Sequence, residues 1–168
     1  IYTGFLANEE QVAEIYTFLD IFRREDTIVI VDPVMGDDGN AFAFVTEDFF
    51  EQMRHLVSQA DCITPNLTEA FLLAEPTAAD GSTIRSALSH FQSVVTAKSG
   101  SNLQKKIEEL AAWLLSQYQL KPIFITGIRC QLPSDSCMQM YNLAMTNEQT
   151  DWISSPLLGG SYSGTGDL

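Results

Sequence analysis

Thr27-Ile28-Val29-Ile30-Val31-Asp32-Pro33-Val34-Met35-Gly36-Asp37 is the stretch on which the fold turns. Its first five residues are all β-branched and show no polar alternation, the pattern of a strand covered on both faces in a parallel sheet. Upstream, Ile1-Tyr2-Thr3-Gly4 reads as the tail of another strand. Between the two, Asn8 caps a helix over 9–24, with Glu9 and Glu10 at its positive end and Val12, Ile15, Leu19 and Phe22 at helical spacing. Downstream, Thr46-Glu47-Asp48 starts a second helix whose Phe49, Phe50, Met53, Leu56 and Val57 form one face. Cys62-Ile63-Thr64 is a further strand, followed by helices over 68–74 and 104–119 and by a strand at Pro122-Ile123-Phe124-Ile125-Thr126. The order β-α-β-α-β predicts an α/β layered fold. Residues 75–103, rich in Ala, Ser and Thr around one helix at 84–95, read as an inserted loop or lid. Residues 137–155 read as a β-hairpin on an antiparallel edge.

The 168 residues are 45% hydrophobic and 10% aromatic, enough to bury one core and too apolar for a disordered chain. The formal charge is -13, which repels phosphate backbones and anionic lipid, so nucleic acid and membrane surfaces are excluded as expected partners. No apolar run reaches the roughly 20 residues that span a bilayer. Cys62, Cys130 and Cys137 form no C-x-x-C, and His55 and His90 stand far apart, which argues against zinc. Three reduced thiols, taken as small buried fillers, and a cytoplasmic location are the expectation. The chain closes on Ser163-Gly164-Thr165-Gly166-Asp167-Leu168, a glycine turn that would open a helix, and it is expected to be part of a longer protein.

Polar clusters begin where the predicted parallel strands end: Asp32 to Gly39, Thr64-Pro65-Asn66-Leu67-Thr68-Glu69, and Thr126-Gly127. Open α/β sheets bind ligands at the carboxyl ends of their strands. In the fourth cluster the amides of Gly164, Thr165 and Gly166 would face a phosphate at a helix N-terminus, with Asp167 in place to accept a proton.

Asp-Pro-Val-Met-Gly-Asp at 32–37, Ile-Thr-Pro-Asn-x-x-Glu-Ala at 63–70 and Ser-Tyr-Ser-Gly-Thr-Gly-Asp-Leu at 161–168 together resemble the pyridoxal, pyridoxine and pyridoxamine kinases of the ribokinase-like superfamily. The first two motifs are shared with hydroxymethylpyrimidine kinases, in which a Cys commonly stands where this chain has Asp167. The resemblance implies a three-layer fold with a central, mostly parallel sheet, flanking helices and an antiparallel edge hairpin, as one domain over 1–168. It implies ATP-dependent phosphorylation of the 5′-hydroxyl of a B6 vitamer, with Mg²⁺ and K⁺ as ions and a homodimer as the assembly. By the same likeness Asp167 is the general base, and Gly164, Thr165 and Gly166 form the anion hole. Thr64, Asn66, Thr126 and Ser163 meet the nucleotide, Gly4 and Phe5 the vitamer, and Glu69, Asp32 and Asp37 the metal. Phe5 stands where the family often has Tyr, and Gly127 where some relatives have Ser. The alternatives are a hydroxymethylpyrimidine kinase and a B6-binding relative without turnover.

Plainer readings exist for each residue. Asp167 also reads as a helix N-cap, and Asp37-Asp38-Gly39-Asn40 as a type I′ hairpin turn. Asn66 and Glu69 equally read as turn and first-turn residues, and Thr126 as an ordinary strand end. The chain has no Gly-x-x-x-x-Gly-Lys-Ser/Thr, which excludes a P-loop mechanism.

Overall fold

The computed structural model describes residues 1–77, 79–95, 100–132 and 135–157. Its elements run β1 (Tyr2–Thr3), α1 (Glu9–Phe22), β2 (Ile30–Val31), β3 (Gly36–Asp37), β4 (Asn40–Ala41), α2 (Glu47–Val57), β5 (Cys62–Ile63), α3 (Leu67–Ala74), α4 (Thr83–Val95), α5 (Gly100–Tyr118), β6 (Pro122–Cys130), β7 (Gln139–Thr146) and β8 (Thr150–Pro156). Six strands form one sheet in the order β1-β2-β5-β6-β7-β8, while β3 and β4 pair separately as a small hairpin. The first four strands of the sheet are parallel, and β7 and β8 continue it antiparallel.

Local chemistry explains the helix starts. The side chain of Asn8 accepts from the Gln11 amide, and Thr46 accepts from the Phe49 amide with Glu47 and Asp48 in the first turn of α2. Each cap satisfies an amide that the helix cannot. The predicted face of α2, with Phe49, Phe50, Met53, Leu56 and Val57, is fully buried. Each such side chain contributes about 1.5–3 kcal/mol through removal from water.

The register sorts the two faces of the sheet. Thr3, Val31, Ile63 and Ile123 lie in one row and are all buried under the helices. The helices form a connected layer, with α1 on α2, α2 on α4, α4 on α3, and α3 and α5 on β6. Tyr2, Phe124 and Ile153 point the other way and are 63%, 40% and 58% exposed. Of the three layers expected, the described residues therefore supply the sheet and one helical layer.

The elements follow the sequence pattern, apart from the length of one strand and the setting of one cysteine. β6 does not stop at Thr126 but runs to Cys130 through a register shift between Ile125 and Ile128, where Gly127 takes φ +68°. A glycine with positive φ is a common means of building such a bulge. Residues 75–103 hold α4 and the start of α5, and α4 buries Thr83, Ala87 and Val94, which ties this stretch to the body of the molecule. Cys62 and Cys130 are buried fillers as expected, but Cys137 is exposed because it lies in the link before β7 and not in a packed strand.

Candidate active site

Three parallel strands, β1, β2 and β5, end side by side against β6, and backbone hydrogen bonds continue beyond their paired residues. The Asp32 amide donates to the Thr3 carbonyl at 3.0 Å, the Thr64 amide to Val31 at 3.1 Å and the Thr126 amide to Pro65 at 2.9 Å. Thr126 also bridges to Asn66 in parallel fashion. The fold thus brings together Asp32, Thr64, Asn66 and Thr126, with Glu69 one helical turn away. Among the described residues, the hydroxyls of Thr3 and Thr64 are the buried side-chain atoms left without a hydrogen-bond partner. A buried hydroxyl without a partner is costly, so the position of both at the carboxyl ends of the strands is informative.

Glu69 is 3% exposed and closes a capping box. Its Oε2 accepts the Asn66 amide at 2.8 Å, and its Oε1 accepts the Met35 amide at 3.1 Å. Asn66 is equally engaged: Oδ1 accepts the Glu69 amide at 3.0 Å, and Nδ2 donates to the Gly36 carbonyl at 2.7 Å. These two side chains clamp the loop after β2 onto the first turn of α3. Burial, reinforced by the negative charge of Asp32, pushes the Glu69 carboxyl up to about 8 against the lowering pull of the Asn66, Met35 and Gly36 amides. Asp32 is half-buried and accepts from the Tyr2 hydroxyl at 3.3 Å.

The other expected residues are more dispersed. Asp37 is exposed on the β3–β4 hairpin, where its Oδ1 accepts the Asp38 amide at 2.8 Å. Asp38 and Gly39 have φ +47° and +76°, the type I′ turn that the sequence allowed. Gly4 is half-buried beyond β1, and a Cβ added there meets nothing within 4 Å. Phe5 is 60% exposed and meets Phe44 edge-on at 5.3 Å. Ser163, Gly164, Thr165, Gly166 and Asp167 lie outside the described residues.

Mg²⁺ binds through one or two carboxylates and leaves its remaining positions to phosphate and water. Among the described residues no three His, Cys, Asp or Glu side chains gather into a cage. The Asp32–Glu69 pair meets the smaller demand, since the charge of Asp32 acts on the Glu69 carboxyl and a cation between nucleotide and protein would relieve that repulsion. The residues present therefore fit a metal that arrives with a nucleotide.

Two positions were given no role in the sequence reading. Thr68 is 2% exposed, and its Oγ1 accepts the Gly39 amide at 2.9 Å. Asn142 accepts the Gly127 amide, freed by the β6 bulge, at 3.1 Å. A lone hydroxyl within the apolar run Leu67-Thr68-Glu69-Ala70-Phe71-Leu72-Leu73 was the available signal for the first. A surface hollow of about 540 Å³, lined by Val45, Glu47, Ile84, Arg85 and Leu88 among others, lies between α2 and α4, away from the strand ends.

Comparison with known proteins completes the picture. A curated pyridoxine/pyridoxal/pyridoxamine kinase of Bordetella avium is 41% identical over 76 residues, 44% of this chain and 25% of that protein. A Bacteroides thetaiotaomicron protein, provisionally described as a phosphomethylpyrimidine kinase and crystallised with pyridoxal, aligns with TM-score 0.71 and 29% identity over 99% of this chain and 51% of its own. Pyridoxal kinase from Lactobacillus plantarum aligns with TM-score 0.65 and 25% identity over 99% of this chain and 49% of its own. The chain thus spans about half the length of these solved relatives. The phosphomethylpyrimidine kinase family model matches residues 1–103, so the chain belongs to that family.

Proposed function

We propose that the intact protein transfers the γ-phosphoryl of ATP to the 5′-hydroxyl of pyridoxal, pyridoxine or pyridoxamine and releases ADP. The observation that carries this reading is the row of Asp32, Thr64, Asn66 and Thr126 across three neighbouring strands, β2, β5 and β6, with the buried Thr64 hydroxyl unpartnered among the described residues. The names of the relatives direct the choice of acceptor toward the B6 vitamers.

Phosphoryl transfer asks a protein for positioning and charge neutralisation more than for covalent chemistry. Thr64 and Thr126 bind nucleotide phosphate oxygens, and Ser163 adds a contact from the C-terminal motif. Asp32 would hold the metal, with Asp37 on the neighbouring hairpin and Glu69 able to join through the lone pairs that its amide bonds leave. When bound, Mg²⁺ neutralises charge on the β- and γ-phosphates. Asp167 takes the proton of the 5′-hydroxyl as that oxygen attacks γ-phosphorus and the bond to ADP breaks, while the amides of Gly164, Thr165 and Gly166 stabilise the charge on the transferring group. Gly4 and Phe5 flank the vitamer. A cytoplasmic homodimer that also uses K⁺, with residues 75–103 as an insertion or lid, completes the proposal and rests on the family likeness.

Hydroxymethylpyrimidine is the competing acceptor, favoured by the description of the family that matches residues 1–103. Phosphorylation assays of the intact protein with pyridoxal, pyridoxine, pyridoxamine and hydroxymethylpyrimidine decide between them. A higher kcat/KM for the pyrimidine overturns the B6 assignment, and binding of pyridoxal without turnover in the presence of ATP and Mg²⁺ overturns the kinase reading.

A further inference from the structure

The β3–β4 hairpin follows directly from Asp32 and carries Asp37, and it is fastened at both ends. At its root, Asn66 Nδ2 donates to the Gly36 carbonyl, and Glu69 Oε1 accepts from the Met35 amide. At its tip, the buried Gly39 amide donates to Thr68 Oγ1 at 2.9 Å. Gly39 also lies against the ring of Phe91 on α4, where an added Cβ would come within 2.6 Å of Cε1. Phe91 is in turn braced edge-on by Phe71 of α3 at 5.6 Å. The tip therefore sits in a slot between a hydroxyl on α3 and a ring on α4, and its positive φ leaves glycine as the residue that fits.

We propose that Thr68 and Phe91 are positioning residues: by seating the hairpin tip they fix Asp37 and the Asp32 loop for the metal-bearing nucleotide. This rests on the kinase reading above, although the seating itself does not. The geometry has a simple logic. Asn66 and Glu69 locate one end of the hairpin, but a two-residue ladder cannot by itself hold the other end. The Thr68 hydroxyl supplies the second point, and Phe91 blocks retreat. It also gives α4, within the stretch first read as a loop or lid, a definite task beneath the site.

The test uses the intact protein with T68V, which keeps the shape and removes the acceptor, T68S, which keeps the hydroxyl, and F91L, which widens the slot. Amide hydrogen exchange over residues 36–41 reads the seating, and a Mg²⁺ titration of steady-state turnover reads the positioning. Loss of one buried acceptor predicts exchange at Gly39 at least roughly tenfold faster in T68V, and a Mg²⁺ activation constant raised about five- to tenfold. At saturating Mg²⁺, kcat stays within about twofold, because the metal restores the geometry once bound. T68S behaves as wild type, and F91L shifts both readouts in the same direction by less. A merely structural role would lower thermal stability without moving the Mg²⁺ constant.

Unchanged exchange at Gly39 in T68V overturns the seating. Faster exchange with an unchanged Mg²⁺ constant overturns the positioning role. Should T68V fail to fold, F91L decides by the same two readouts. If the wild-type protein phosphorylates neither B6 vitamers nor hydroxymethylpyrimidine, the kinase reading falls, and calorimetric Mg²⁺ titration of the complex with a non-hydrolysable ATP analogue takes the place of turnover. In that assay Mg²⁺ affinity equal in T68V and wild type counts against the proposal, and weaker affinity in T68V supports it.

Discussion

The two ends of the parallel sheet handle buried charge in opposite ways. At the amino end, Asp61 precedes β5 and is met by cations and donors: Lys121 at 2.9 Å, Arg23 at 3.6 Å and the Val29 amide at 2.9 Å. Burial alone would raise its carboxyl, but the Val29 amide, Lys121 and Arg23 together hold it below the usual carboxylate value. At the carboxyl end, the charge acting on buried Glu69 is another carboxylate, Asp32, and Glu69 is pushed up to about 8. Among the described residues, two threonine hydroxyls are left buried without partners on that same side. One end is settled as it stands, and the proposed site lies at the other. A fold spends polar groups in the second way where a ligand completes them.

Four substitutions test that contrast, beginning with the largest effect. Asp167→Asn in the intact protein lowers turnover by about 10²- to 10⁴-fold, the scale of a lost general base, while ATP affinity measured by calorimetry changes little. Near wild-type turnover in this variant removes Asp167 from the chemistry. Glu69→Ala strips the acceptor from two backbone amides and from the capping box, and it costs about 2–4 kcal/mol in urea denaturation. A smaller loss would mean that the clamp between the β2 loop and α3 is held by other contacts.

Thr64→Val sharpens the comparison because its two effects part company. Removing an unpartnered hydroxyl leaves stability within about 0.5 kcal/mol of wild type or raises it, since no hydrogen bond is lost. The KM for ATP rises roughly three- to tenfold as a phosphate contact disappears. A clear loss of stability would show that Thr64 belongs to the structure and not to the site. Asp61→Asn gives the mirror image, with roughly 1 kcal/mol of stability lost at neutral pH and kinetics unchanged. The sign of its pH dependence follows from the lowered pKa. The contribution of Asp61 is fully present above the unfolded-state value near about 4 and disappears as pH falls through the lower folded-state value. Melting temperatures of wild type and D61N should therefore converge in acid, and parallel curves would refute the pairing.

Much of the architecture was legible because burial and capping leave local marks. The unalternating run Thr27 to Val31 announced a parallel sheet, and Asn8 and Thr46 announced two helix starts that the structure places at those residues, while α3 starts one residue before the expected Thr68 with Asn66 as its cap. Strand length was not legible in the same way. Gly127 looked like the end of β6, yet its positive φ makes a bulge and the strand resumes. A glycine inside a strand pattern permits both outcomes, and pairing with β7 decides. For the site, Asp32, Thr64, Asn66 and Glu69 were legible because they follow recognisable strands, and Thr126 because it stands in another, although β6 runs on past it. The partnership of Thr68 with Gly39 was not, because it joins residues 29 apart whose meeting depends on how a hairpin lies across a helix. Asp167 and its glycines could be read from sequence alone and stand beyond the described residues.

The brevity of β1, β2 and β5, each paired over two residues, bears on how such a scaffold changes over evolutionary time. Side chains one residue beyond a ladder inherit its placement through almost no intervening torsions. Insertions farther along those connections would leave Asp32 and Thr64 where they are, free to acquire new neighbours. Lengthening a single strand by two residues would instead carry its polar tip about 7 Å past the adjoining ones and scatter the row. Diversification should therefore be tolerated in the loops and resisted in the strand lengths.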